Sequence, residues 1–113
     1  MKAKKQIKVI YKRCGFDPVE VIVPNTLDHL QVMVGGDIEA VRWPAGLKTI
    51  MLVDDEGKLK HRPANFFFRN DVIVGSAMWA GVDGENFTDC PYNLDDFRKR
   101  WPFLFEEDDE VDE

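Results

Sequence analysis

V-I-V-G-S-A-M-W-A-G-V, residues Val72 to Val82, is an uncharged run set between Asn70-Asp71 and Asp83-Gly84. A run apolar at both alternating positions suits a strand covered on both faces. The helical alternative is weaker. Val72, Ile73 and Val74 are β-branched, and Gly75 and Gly81 would each cost a helix about 1 kcal/mol. Gly75, Ser76 and Ala77 leave room for something bulky to lie against the backbone. The run is therefore expected to be the central strand of a small sheet, with the remaining chain arranged around it.

Upstream, Gln6 to Lys12 alternates, with Ile7, Val9 and Tyr11 on one face and Lys8 and Lys12 on the other. This pattern predicts a half-buried strand. A turn-rich connector from Arg13 to Pro18 leads to a second strand, Val19 to Val23, and Pro24 ends the pairing because it cannot donate to a ladder. Asn25 or Thr26 caps a helix whose stripe is Leu27, Leu30 and Val34 with Met33 beside it, and Gly35-Gly36 stops it. The glycine pair follows a helix, whereas phosphate cradles precede one. Asp37 to Trp43 and Leu47 to Val53 read as strands around the turn Pro44-Ala45-Gly46, and Asp54-Asp55-Glu56-Gly57 as a tight acidic turn rather than a metal loop.

After the central run, Asp83-Gly84 turns the chain toward a short segment ending in Phe87. A final helix from Leu94 to Trp101 carries Asp95 and Asp96 in its first turn and Arg98, Lys99 and Arg100 in its last, matching the helix dipole. Leu94, Phe97 and Trp101 face the core, Pro102 ends the helix, and Phe103-Leu104-Phe105 packs before the tail. The sum is an α+β domain over residues 1–105, with a small, mostly antiparallel sheet of five or six strands and two short helices. Residues 106–113 are expected to be a disordered acidic tail.

Charge is unevenly distributed. The net charge of −6 comes from the last eight residues, Glu106 to Glu113, which hold seven acids; the preceding body is near +1. The first thirteen residues carry Lys2, Lys4, Lys5, Lys8, Lys12 and Arg13 and no acid. The tail is either a solubilising end or a segment that folds over a basic patch and competes with an anionic ligand. No apolar run approaches the ~20 residues of a membrane span, and the basic N-terminus lacks the apolar stretch of a secretory signal. A cytoplasmic location with Cys14 and Cys90 as free thiols is expected, with no membrane partner.

Several pieces in order resemble a family of small proteins of unknown function found in bacterial phages and mobile elements. They are Asn25-Thr26-Leu27, Val34-Gly35-Gly36, Ile38-Glu39, Glu56-Gly57-Lys58, Pro63-x-Asn65, Asp71 to Gly75, Asp83-Gly84-Glu85 and Phe87. The likeness covers roughly Val19 to Phe97. It implies a phage or mobile-element context and brings no activity with it. Phe66-Phe67-Phe68 departs from the family pattern, where more polar residues follow Asn65, and so changes the chemistry of any site there.

Catalysis finds little material. The histidines are His29 and His61, no signature surrounds either cysteine, and no close-spaced ligand pair anchors a zinc site. Phosphate-loop, nucleophile-elbow and zinc-protease motifs are absent. The expectation is a non-enzyme without cofactor or metal. The best candidate site is the segment Lys58 to Asn70, with Lys60, His61, Arg62, Asn65, Phe67 and Arg69 as ligand-binding residues. Its cations suit phosphate oxygens, its phenylalanines a stacked base, and Asn65 a base edge. The competing reading is a basic hairpin whose phenylalanines alternate into the core.

Two functional classes follow. One is a non-catalytic phage or mobile-element accessory protein that binds an anionic, nucleotide-like molecule, as in counter-defence. The other is an acidic protein-binding module that inhibits a host factor by mimicking nucleic acid through Glu106 to Glu113. Direct DNA binding ranks third, because the body is nearly neutral. A homo-oligomer through Gln6 to Lys12 as an edge strand is also open, although its lysines discourage pairing.

Overall fold

The computed structural model describes residues 4–44 and 48–106. The expected turn residues Ala45 and Gly46, and the acidic run 107–113, lie outside the described residues. Gln6–Lys12 (β1) and Val19–Pro24 (β2) form an antiparallel hairpin with Val9 opposite Val21. Leu27–Val34 (α1) is capped by Thr26, whose side chain accepts from the His29 N–H. It ends at Gly35 in the left-handed conformation, φ 99°. The remaining strands are Ile38–Arg42 (β3), Thr49–Asp54 (β4), Ala64–Phe68 (β5), Asp71–Val74 (β6), Ala77–Asp83 (β7) and Asn86–Thr88 (β8). Leu94–Arg100 (α2) and a 3-10 turn, Pro102–Leu104, close the described chain.

The main sheet runs β2-β1-β7-β4-β3, and β8 pairs with the far end of β7. All its pairings are antiparallel. β5 and β6 form a separate two-stranded ribbon. This is the expected α+β fold, with two helices and six strands in the main sheet. None of its helices is long and apolar enough to cross a membrane.

β7 is the strand that both faces bury. Ala77, Met78, Trp79 and Ala80 are all wholly inaccessible. Because successive side chains alternate, Met78 and Ala80 pack with Leu30 and Val34 of α1, while Ala77 and Trp79 enter an aromatic layer on the other side. In that layer Trp79 meets Trp43, Phe66 and Phe97 at centroid distances of 5.2–5.9 Å. Such edge-on and offset pairs add about 0.5–1.5 kcal/mol each beyond the area they bury. α2 starts at a reciprocal cap between Asn93 and Asp96 and packs on this layer through Phe97, its fully buried residue.

Three expectations need correction. Val72 to Val82 is two strands, not one: Gly75, at φ +75°, turns the chain out of the main sheet so that β6 pairs with β5. The bulky neighbour Gly75 admits is Arg62, whose Cδ would lie 3.0 Å from a Cβ there. β1 is not a half-buried edge. It lies between β2 and β7 and is covered on both faces, so that even Lys12 is 6 % exposed. Leu27 does not join its stripe; it is 60 % exposed in the first turn of α1, while Leu30 and Val34 are buried.

Candidate functional site

The segment Lys58 to Asn70 divides into two halves with different fates. In the first, Asp54 at the end of β4 has a side chain with no solvent exposure. Its Oδ2 accepts from Lys60 Nζ and Arg62 Nε, each at 3.0 Å, and its Oδ1 accepts from the Glu56 N–H at 2.9 Å. Burial alone would raise the Asp54 pKa, but these three bonds together hold it below the ordinary carboxylate range. Lys60 and Arg62 also donate to the Gly35 carbonyl, at 3.2 and 2.8 Å. Cations at a helix C-terminus satisfy an otherwise open acceptor. Gly36 has to be glycine-sized here, since a Cβ would stand 2.9 Å from Asp54 Oδ1. Lys60 and Arg62 therefore staple the 55–61 turn to the end of α1. His61 lies in that turn, exposed and at φ 57°.

In the second half, β5 carries a bulge. Ala64 pairs with Val74 and Phe66 with Ile73, leaving Asn65 as the extra residue. Its side chain turns inward: Oδ1 accepts from Lys12 Nζ at 2.6 Å, and Nδ2 donates to the carbonyls of Lys12 and Gly75 at 3.1 and 2.7 Å. Both amide hydrogens are thus engaged inside the molecule. Burial is the main reason the Lys12 pKa is lowered, partly offset by Cys14, Asp17 and Glu106. Past the bulge the ring directions alternate. Phe66 is buried, Phe67 is 79 % exposed, and Phe68 stacks on Trp43 at 4.7 Å. Arg69 and Asn70 make the tight turn, both with positive φ, 54° and 59°. The Arg69 guanidinium rests 5.1 Å from the Phe68 ring centre and forms no ion pair among the described residues.

Phe67 and Arg69 border an open groove of about 630 Å³, whose other walls include Pro44, Trp101 and Phe103. Phe103 is 53 % exposed. Asn65 and Phe103 are shared with a smaller pocket of about 190 Å³, which holds Phe16, Lys12, Asp17 and Glu106. Phe16 is 56 % exposed, with Arg13 over its ring at 4.3 Å. Arg98 lies 4.4 Å over Phe105, a wall of the same pocket. A third cleft, about 440 Å³, opens on the other side of Phe68 and Arg69. Its rim is mixed in sign, with Glu39, Asp55 and Asp71 against Lys58 and Arg69, and Lys58 is bound to Asp71 at 2.6 Å. The aromatic groove is the better site, since it joins exposed rings to one cation, Arg69, that forms no ion pair among the described residues.

Of the six residues expected to bind, the structure brings Asn65, Phe67 and Arg69 to this groove and places Lys60 and Arg62 at the Asp54 staple. Sequence reading missed Phe16, Trp101 and Phe103. The expectation that Phe103 packs with Leu104 and Phe105 needs correction: those two are buried, but Phe103 is 53 % exposed. Elsewhere the chemistry is quiet. Burial pushes the Cys90 thiol up, toward its protonated form. Cys14 Sγ donates to the Pro63 carbonyl at 3.3 Å. No group of three or more metal-ligating side chains occurs among the described residues.

The match of a family model described as a domain of unknown function, DUF3846, spans residues 7–102. The chain belongs to the DUF3846 family. No curated protein and no solved structure matches it. The DUF3846 region begins within β1 and takes in the other strands, both helices, the staple and most of the groove, but ends just before Phe103.

Proposed function

We propose that the protein is a non-catalytic binder of a nucleotide-like anion, held with its ring in the groove between Phe67 and Phe103 and its phosphate at Arg69. The observation that carries this reading is Phe67, 79 % exposed on the ribbon beside a guanidinium without a counter-ion among the described residues. Phe67 shares its groove with the half-exposed Phe103, and a base stacked on such a ring gains about 1–3 kcal/mol. The free cation supplies the charge-assisted bond an anion needs. The family resemblance to phage and mobile-element proteins favours an accessory role, such as sequestering a host signal nucleotide.

Calorimetry of the full chain against a panel of mono-, di- and cyclic nucleotides tests it. Binding of at least one, weakened by Phe67→Ala and by Arg69→Ala, supports the proposal. Absence of heat with every member of the panel overturns it.

A further inference from the structure

Three exposed rings, not one, line the shared surface. Phe67 stands on the larger groove, Phe103 borders both pockets, and Phe16 stands on the smaller. Arginines stand near them, though only Phe16 has one over its own ring. Arg69 adjoins Phe67 in the turn of the ribbon, Arg98 covers Phe105 two residues beyond Phe103, and Arg13 covers Phe16. None of the three arginines forms an ion pair among the described residues. A single mononucleotide seated between Phe67 and Phe103 leaves Phe16 uncovered. A strand of nucleotides offers repeating bases and phosphates to repeating rings and guanidinium groups.

We infer that the surface is built for a short single-stranded run of about three nucleotides. This rests on the nucleotide-binding reading above and extends it. Asp17 and Glu106 in the smaller pocket oppose a phosphate inside it, so the phosphates run along the rim, where the arginines are. Sequence preference is weak, because both amide hydrogens of Asn65 are bound to Lys12 and Gly75 carbonyls and read no base edge. Neutralising three phosphates gives a slope of log K against log salt of about −2.

The experiment is fluorescence anisotropy of the full chain with labelled oligothymidylates of one, three and six nucleotides, in stepped salt. Affinity is expected to rise steeply from one to three nucleotides and little from three to six. Phe103→Ala and Phe16→Ala each weaken the trimer by about 5- to 150-fold. Phe16→Ala leaves the mononucleotide unchanged. Both rings are more than half exposed, so circular dichroism of the variants should match the parent. Equal affinity for one and three nucleotides overturns the inference while leaving the single-nucleotide reading intact. Equal affinity for a longer, stably paired duplex also overturns it, since paired bases cannot stack on the rings. No binding to any length removes both.

Discussion

Lys60 and Arg62, nine and seven residues before Arg69, have the same chemistry as Arg69 and the opposite circumstance. The first two meet a buried carboxylate and a helix-terminal carbonyl; the third meets only the face of a ring. The difference is made by what the rest of the fold brings near. Asp54, at the end of β4, and Gly35, at the end of α1, converge on one half of the segment. No acid pairs with Arg69 at the tip of the ribbon among the described residues. A cation becomes a binding group where folding leaves it without a counter-charge.

The sharpest way to break this comparison is at its buried centre. Asp54→Ala leaves Lys60 and Arg62 without their acceptor and is expected to cost about 2–3 kcal/mol in urea unfolding. That is less than a wholly buried pair, because both cations keep about a third of their surface in water. An unchanged midpoint would show that the staple does not hold the turn. Gly75→Ala should cost about 1–2 kcal/mol, from the positive φ and the crowded Arg62 Cδ. Thermal unfolding measures it, and a neutral result would mean the ribbon is not set by this residue.

The same carboxylate gives a pH test. Its folded pKa lies below its ordinary value, so the unfolded chain binds the proton more tightly. Its contribution is then full above the unfolded pKa and is lost as pH falls through the folded one. Asp54→Asn should flatten that acidic limb of the stability curve; an unaltered limb would assign it to other carboxylates.

Binding variants sharpen the contrast further. Lys60→Ala should lower stability with no change in nucleotide affinity, whereas Phe67→Ala should cost about 1–3 kcal/mol of binding and leave unfolding unmoved. The reverse pattern would return the site to the Lys60 half. The smallest effect is expected from removing residues 107–113. The described chain reaches Glu106 in the smaller pocket, where its N–H donates to Asp17 Oδ1 at 2.8 Å. Loss of the acids beyond it should raise affinity for an anion severalfold at low salt and hardly at all at high salt. Equal affinities at low salt would show that the acidic end does not compete.

Much of the architecture was legible because local chemistry and global position agree. Thr26 and Gly35 bracket α1, Asp83-Gly84 turns β7 into β8, and the charges on α2 follow its dipole. What was hidden depended on partners distant in sequence. Val72 to Val82 reads as one ribbon because it has no charge, and only the positive φ of Gly75 divides it. An isolated glycine in a strand pattern is a known sign of such a break. β5 was concealed in an irregular segment, since its turn uses Arg69 and Asn70 where glycine is usual. Within the candidate site, Phe67 and Arg69 were legible as residue types, but the inward turn of Asn65 was not. It requires Lys12, fifty-three positions away, to be buried beneath it.

The bulge at Asn65 also sets how this region can vary in length. Phe66, Phe67 and Phe68 take their register from β6, through Ile73, Val72 and Asp71, and so keep their inward and outward directions whatever happens upstream. A residue gained or lost at the bulge, or in the 55–61 turn, would be absorbed there without inverting the rings. One gained or lost between Phe66 and Asp71 would turn Phe67 into the core. Members of the family that retain an outward ring should therefore differ in length before this point and not after it.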